Sequence, residues 1–232
     1  MATRHEIGTA PRRVPLSHRR ALVARHTRLR PVEGVADVRL YLADETEPVW
    51  RATEAALGIA SAPIPFWAFA WAGGLAIARY LQEHPAEVNG KQVIELATGS
   101  GLCAIVAMRL GAARATGIDI DPFAEAAVER NARANGVRVA FIGRDVLDEA
   151  PPDADVLLAG DTWYEGPLAE RVLPWLQRAA MSGTRVLVGD PGRRYLPEAD
   201  LVALAGYDVQ TTTQLEDRTV LQARVFELRG AR

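Results

Sequence analysis

A glycine-containing turn between two mainly apolar segments is the part of this sequence best suited to chemistry. Residues 93–96 run into Ala97-Thr98-Gly99-Ser100-Gly101, and residues 117–121 form a second segment that ends on acids. A strand, a glycine turn, a helix and an acid-tipped strand make up a nucleotide-binding βαβ unit. Glycines at 99 and 101 would let the backbone approach a ligand closely. Asp119 would accept hydrogen bonds from ribose hydroxyls.

The residues around this turn bear on which nucleotide it would bind. A dinucleotide site favours three spaced glycines and rests a pyrophosphate on the helix N-terminus. Here Ala97 stands at the first glycine position and Ala104 at the third. The Glu95 carboxylate would repel a pyrophosphate, but it suits the amino group and sulfonium of S-adenosylmethionine. The turn therefore favours a methyl donor, with NAD and an ordinary turn that binds nothing as alternatives.

Composition favours one α/β domain with a full core. The chain has 232 residues, is 49% hydrophobic and carries a formal net charge of -2. The single cysteine, Cys103, excludes an intrachain disulfide and a cysteine metal cluster, and it suits a reducing compartment. We expect no metal site, and no membrane association either, because the longest uncharged run (residues 61–78) contains two prolines and two glycines.

The N-terminus is basic, with eight arginines and one acid in residues 1–30. We expect a disordered arm over residues 1–15 and then a helix from Ser17. A mitochondrial presequence is the alternative, so the expected compartment is cytoplasmic in a bacterium and the mitochondrial matrix in a eukaryote. Nucleic acid is a disfavoured partner, because this segment lacks aromatic residues and the rest of the chain is acidic.

Alternating strand and helix patterns predict an α/β fold. We expect a Rossmann-like, seven-stranded, mostly parallel sheet with an antiparallel C-terminal hairpin, helices on both faces and a short N-terminal helical extension. We expect the chain to divide into a basic arm and helix (1–30) and a single domain (31–232). That domain would consist of cap elements (31–90) and a cofactor-binding core (91–232). Predicted strands cover 38–42, 92–96, 114–118, 138–142, 155–159, 184–188, 207–213 and 220–227. Predicted helices cover 17–29, 47–57, 74–82, 102–110, 122–135, 167–180 and, as a short one, 197–204.

Parallel sheets bind ligands at the carboxyl ends of their strands, so the residues at those ends are the candidates for the site. After the third strand of the core, Asp145 could accept from an adenine amino group and the Val146 amide could meet a ring nitrogen. A solvated loop acid is the alternative for Asp145. Before the core, Trp71 and Gly73 at a helix start resemble a ligand wall, whereas Phe66 and Phe69 are expected in the core.

An acid and two aromatic residues follow the fourth strand of the core. Methyl transfer to nitrogen needs a neutral amine in line with the sulfonium, so positioning dominates the catalysis. Asp161 could orient that amine, and the faces of Trp163 and Tyr164 could exclude water and stabilise positive charge. Ordinary packing is the alternative for both aromatic residues. Asp190 and Arg193 after the fifth strand could line the acceptor channel.

Several short motifs resemble a known superfamily and one of its branches. The 95–101 turn, residues 119–122 and Asn131 with Asn135-Gly136 resemble the class I, seven-stranded S-adenosylmethionine-dependent methyltransferases. Residues 65–74, 160–164 and 189–193 resemble the lysine methyltransferases of the electron transfer flavoprotein β subunit. Asp161-x-x-Tyr164 also resembles the Asp-x-x-Tyr signature of seven-stranded protein lysine methyltransferases.

This resemblance implies S-adenosylmethionine as cofactor, S-adenosylhomocysteine as product and a protein lysine as acceptor. The acceptor protein would be the electron transfer flavoprotein β subunit, with a ribosomal protein as a further possibility. It also implies that Glu95, Ala97, Gly99 and Gly101 face the methionine part, Asp119 the ribose, Asp145 the adenine and Asp161 the lysine. A small-molecule N-methyltransferase and a non-catalytic nucleotide-binding module are the alternatives. The oligomeric state stays open, with a monomer as the working expectation.

Overall fold

A computed structural model describes residues 13–211 and 218–229 of the chain. Six helices and nine strands are found in these ranges. The helices are α1 (Leu16–His26), α2 (Thr46–Leu57), α3 (Ala72–Glu83), α4 (Leu102–Arg109), α5 (Ala124–Ala134) and α6 (Gly166–Met181). The strands are β1 (Arg28–Pro31), β2 (Arg39–Leu42), β3 (Gln92–Leu96), β4 (Arg114–Ile118), β5 (Ala140–Ile142), β6 (Val156–Gly160), β7 (Arg185–Asp190), β8 (Leu201–Gln210) and β9 (Val220–Leu228).

Seven of these strands form one sheet in the order β5-β4-β3-β6-β7-β9-β8. Strands β3 to β7 are parallel, β9 runs antiparallel to β7, and β8 runs antiparallel to β9 at the edge. Neighbouring residues of a strand bury their side chains on opposite faces: Leu158 packs with α3 and α4, whereas Leu157 packs with α6. Both faces are therefore covered by helices, which confirms the predicted fold class.

The N-terminal region differs from its prediction. The helix expected to reach residue 29 ends at His26, and Arg28–Pro31 forms a strand that pairs antiparallel with Arg39–Leu42. The division proposed at residue 30 falls inside this hairpin. Helix α1 packs on α5, with Val23 fully buried. Most of the predicted disordered arm, residues 1–12, lies outside the described residues.

The short helix predicted over 197–204 is wrong. Glu198–Asp200 forms one 3₁₀ turn, and the strand Leu201–Gln210 follows directly. Its leucine- and alanine-rich start suits a helix locally, but β8 pairs with β9 from Leu201 to Gln210, with an irregularity between Ala203 and Ala205. Tertiary pairing overrides a weak local propensity here. The end of the strand predicted over 207–213 lies outside the described residues.

The uncharged run at 61–78 is a loop that contains a 3₁₀ turn and leads into α3, as predicted. None of the helices in the described ranges is long and apolar enough to cross a membrane.

Candidate active site

The loop after β3 is bent by three residues in the left-handed region. Ala97, Gly99 and Gly101 have φ values of 51°, 49° and 82°. A Cβ on Gly101 would lie 3.1 Å from Val128 Cγ2, so both the conformation and the space favour glycine there. Ala97 accepts the same conformation without a glycine, at a cost in backbone strain.

The Glu95 carboxylate lies behind this turn and holds it against α4. It accepts hydrogen bonds from the Cys103 amide at 3.1 Å, the Ala104 amide at 3.0 Å and the Thr98 hydroxyl at 2.5 Å. Burial raises the pKa of Glu95, while these donors lower it. The structure thus gives Glu95 a loop-holding role, and its contact with a bound ligand stays a prediction.

Two acids at the end of β4 meet the same turn. Asp119 accepts from the Gly99 amide at 2.8 Å and from the Asp121 amide at 2.9 Å, and burial raises its pKa. Asp121 accepts from the Phe123 amide at 2.7 Å, and burial, reinforced by the Asp119 charge, raises its pKa to about 7. This places the predicted ribose acid beside the glycine turn.

Ile120, between these acids, was missed by sequence reasoning. Its side chain is 73% exposed, the most exposed of the large apolar residues in the described ranges. Its signal in the sequence is a bulky apolar residue flanked by two acids where an apolar strand ends. An exposed aliphatic surface beside the predicted ribose acid is suited to contact an adenine ring.

The predicted adenine contacts follow β5, the neighbour of β4. Asp145 accepts from Arg171 at 2.8 Å and from the Leu147 amide at 3.0 Å, and the Arg171 hydrogen bond lowers its pKa. The Val146 side chain is buried, and its amide donates to no acceptor among the residues that the structure describes. Asp145 is therefore already paired with a guanidinium, while the Val146 amide is available to a ligand.

Asp161 is held tightly at the end of β6. Its φ is +55°, and its amide donates to the Gly189 carbonyl at 3.0 Å. One carboxylate oxygen accepts from the Gly74 amide at 2.9 Å, and the other accepts from Arg193 at 3.1 Å. Burial raises the pKa of Asp161 to about 6, although the Arg193 charge opposes this shift. A non-glycine residue with positive φ and a buried charge is typical of a functional position.

Gly73 explains how α3 comes close enough to hold Asp161. A Cβ on Gly73 would lie 2.1 Å from the Gly189 carbonyl oxygen and 2.7 Å from Asp161 Oδ2. The helix therefore packs backbone to backbone on the sheet at this point. The structure gives Gly73 a packing role, and its predicted contact with the cofactor stays a prediction.

The aromatic residues are distributed between the core and the site differently from what the sequence predicts. Trp163 is fully buried in the cluster under α6 with Trp175, which corrects the prediction that its face lines the acceptor site. Phe66, expected in the core, is half-buried, and its ring centroid lies 5.3 Å from those of both Trp71 and Tyr164. Phe69 is buried, as predicted.

These rings lie beside the glycine turn. A Cβ on Gly99 would lie 3.5 Å from the Phe66 carbonyl oxygen, which also accepts from the Trp71 indole at 2.9 Å. Burial raises the pKa of Tyr164 to about 12, and the Asp119 charge adds to this shift. Acids and aromatic faces thus meet at one edge of the sheet, an arrangement that attracts a cation.

Comparisons with known proteins agree with this arrangement. Residues 79–160 match the ribosomal protein L11 methyltransferase (PrmA) family. The electron transfer flavoprotein β-subunit lysine methyltransferase of Mus musculus is 36% identical over 169 residues, which cover 70% of this chain and 66% of the relative. The Xenopus laevis protein of the same name is 29% identical over 93% of this chain and 89% of its own length. The chain belongs to the class I S-adenosylmethionine-dependent methyltransferases.

A solved structure agrees with this methyltransferase in fold. The putative RNA methyltransferase PH1948 of Pyrococcus horikoshii has a TM-score of 0.54 and 15% identity, and the match covers 73% of this chain and 91% of that protein. At this identity the likeness concerns the fold alone.

The residues of the methyltransferase fit S-adenosylmethionine, the cofactor of its family. Asp119 offers a carboxylate for the ribose, Ile120 offers an exposed apolar surface for the adenine, and Val146 offers an amide for a ring nitrogen. The positive φ at Gly99 and Gly101 leaves backbone rather than side chains at the turn where the methionine part is predicted to bind. When bound, this cofactor supplies an electrophilic methyl group on a sulfonium.

Proposed function

We propose that this methyltransferase methylates lysine side chains of the electron transfer flavoprotein β subunit. The observation that carries the proposal is the position of Asp161 and Tyr164. They follow β6 beside the glycine turn, so an acceptor amine held by Asp161 would lie close to a donor held by that turn. The aligned part spans about two thirds of the mouse relative. The activity and the acceptor of this protein are therefore inferred from the site geometry together with the longer Xenopus alignment.

The acceptor amine must reach the donor as a neutral nucleophile. A free lysine has a pKa of ~10.4, so burial next to the rings must favour its uncharged form. Asp161, with a pKa of about 6, is ionised at neutral pH and accepts an N–H bond that orients the amine. Phe66, Trp71 and Tyr164 exclude water and present their faces to the positive charge of the reacting centre.

Ribosomal protein is the second candidate acceptor because of the PrmA match. That match ends at residue 160, one residue before Asp161. It therefore concerns the cofactor half of the site and does not include the acceptor motif. The Xenopus relative aligns over 93% of the chain, which supports the electron transfer flavoprotein as acceptor.

The proposed acceptor also indicates where in the cell the protein would work. The protein would work where its acceptor is found, in the bacterial cytoplasm or the mitochondrial matrix. It would act on a protein acceptor, as a monomer and without nucleic acid.

The test uses the purified chain, S-adenosylmethionine with a labelled methyl group, and two acceptors, electron transfer flavoprotein and ribosomal protein L11. We expect label on a lysine of the flavoprotein β subunit, located by mass spectrometry. Label on L11 alone, or only on small molecules of a cell extract, would overturn the proposal.

Asp161→Asn should reduce transfer by about 100-fold or more and leave the donor dissociation constant nearly unchanged in calorimetry. Asp153→Asn is a matched control, because Asp153 is an exposed acid before the other end of β6. Full activity of Asp161→Asn, or an equal loss in both variants, would contradict the role assigned to Asp161.

A further inference from the structure

Arg193 is a charged neighbour of Asp161 that has no role in the reaction proposed above. Its guanidinium donates from Nη2 to Asp161 Oδ1 at 3.1 Å, and the two side chains are 20% and 11% exposed. The pair links the ends of two adjacent parallel strands, β6 and β7. A charge-assisted hydrogen bond at this depth is stronger than a surface ion pair.

The turn after β7 is built to direct Arg193 towards Asp161. Asp190, at the end of β7, is fully buried and accepts from the Gly192 amide at 2.7 Å and from the Arg193 amide at 2.6 Å. Gly192 has a φ of +91°, which favours glycine at this position. The backbone of Arg193 is thus fixed by a buried carboxylate before its side chain reaches the site.

Few other charged groups face Asp161. From β7 and the turn after it come Asp190 and Arg193, and from α4 comes the buried Cys103 thiol, whose pKa burial raises. Helix α3 contributes the Gly74 amide. Tyr164 lies on the same loop as Asp161, and the Arg193 charge lowers its pKa against the raising effect of burial. Among these groups Arg193 carries the positive charge, so its removal leaves the carboxylates of Asp161 and Asp190 close together.

We propose that Arg193 is a positioning residue for methyl transfer, which holds Asp161 ionised and turned towards the acceptor and disfavours entry of a protonated lysine. This rests on the proposed function. Asp161 has one oxygen on Gly74 and one on Arg193, and each carboxylate oxygen has a further lone pair for an amine N–H. An ionised Asp161 alone would favour the ammonium form of an entering lysine. The adjacent guanidinium opposes this effect and moves the balance towards the neutral amine, because like charges repel.

Loss of the guanidinium changes two ionisations in the same direction. The Arg193 charge holds the pKa of Asp161 down, so without it that pKa would rise above about 6. An ammonium beside Asp161 would also lose its repulsive neighbour and stay protonated to higher pH. The rate of methyl transfer rises with pH as each group loses its proton, so both changes move this rise to higher pH.

The experiment compares Arg193→Met with Arg193→Lys, which keeps the charge, and with Arg194→Met, which removes the neighbouring exposed arginine. In Arg193→Met we expect the rising limb of kcat against pH to move up by about one pH unit. The donor dissociation constant should stay unchanged, Arg193→Lys should recover most of the shift, and Arg194→Met should behave as the wild type. An equal loss of rate at every pH, or the same shift in Arg194→Met, would overturn the proposal.

A second measurement is independent of the acceptor. Carboxyl ¹³C NMR titration of Asp161 should show a higher pKa in Arg193→Met than in the wild type. An unchanged pKa would overturn the inference even if lysine methylation is found. A wild type that methylates no protein lysine would instead refute the proposed function, while this titration still reports on the Arg193–Asp161 pair.

Discussion

Replacing Gly73 by alanine is the sharpest test of how α3 is held against the sheet. The new Cβ would lie 2.1 Å from the Gly189 carbonyl oxygen and 2.7 Å from Asp161 Oδ2. The first contact is with the backbone of a central strand, so it can be relieved only by moving α3 away from β7. We expect the free energy of unfolding to fall by about 3 kcal/mol, at the upper end of overpacking costs.

Gly74→Ala is the matched control in the same helix turn. The nearest atom to its new Cβ would be Cys103 Sγ at 3.9 Å, an ordinary contact. Alanine favours a helix over glycine by up to about 1 kcal/mol, so this variant should be as stable as the wild type or slightly more stable. The two substitutions differ only in what the added methyl group meets.

Thermal and urea unfolding of both variants measure this difference. For a domain of this size, ~3 kcal/mol corresponds to a melting temperature lower by about 6–12 °C in Gly73→Ala. Methyl transfer should fall as well, because the shift of α3 removes the Gly74 amide from Asp161. If Gly73→Ala were as stable as Gly74→Ala, the close approach of α3 to β7 would be wrong.

Two further predictions concern a buried acid and a buried indole. In the folded protein the pKa of Asp121 is raised to about 7 from an ordinary value near 3.8. The folded state therefore binds this proton more strongly than the unfolded state, and the free energy of unfolding falls as pH rises from about 4 to about 7. Asp121→Asn should therefore be more stable than the wild type by more than about 1 kcal/mol at pH 8 and equally stable near pH 4; a difference that urea unfolding finds constant with pH would contradict this. Trp163→Phe should lower the free energy of unfolding by about 2 kcal/mol while kcat stays within about twofold, because Trp163 packs in the core. A fall in kcat without loss of stability would instead restore Trp163 to the acceptor site.

Much of the cofactor half of the site could be predicted from local sequence. The positions of β3, β4 and α4 agree with the pattern to within a residue or two, because short apolar strands and a glycine turn are local features. Asp119 beside Gly99 follows from the parallel pairing of β3 with β4, since carboxyl ends of parallel strands meet at one edge.

Other features depend on partners that are distant in the sequence. Strand β8 was predicted partly as a helix because its pairing with β9 is not encoded in its own residues. The division between Phe66 and Trp163, one at the mouth and one in the core, could not be predicted either. Both are aromatic residues in loops beside the site, and the packing of α6 on the sheet buries Trp163.

By itself, the sequence determined the fold class, because strands and helices alternate along the chain, and the kind of cofactor, because the glycine turn and its acids lie within one βαβ unit. Only the tertiary structure decided what surrounds Asp161. Its partners Gly74 and Arg193 are 87 and 32 positions away in the chain, and they meet it where α3 and the turn after β7 converge on β6. The physical reason is that burial and neighbouring charge, which set the ionisation of a carboxylate, arise from packing between elements.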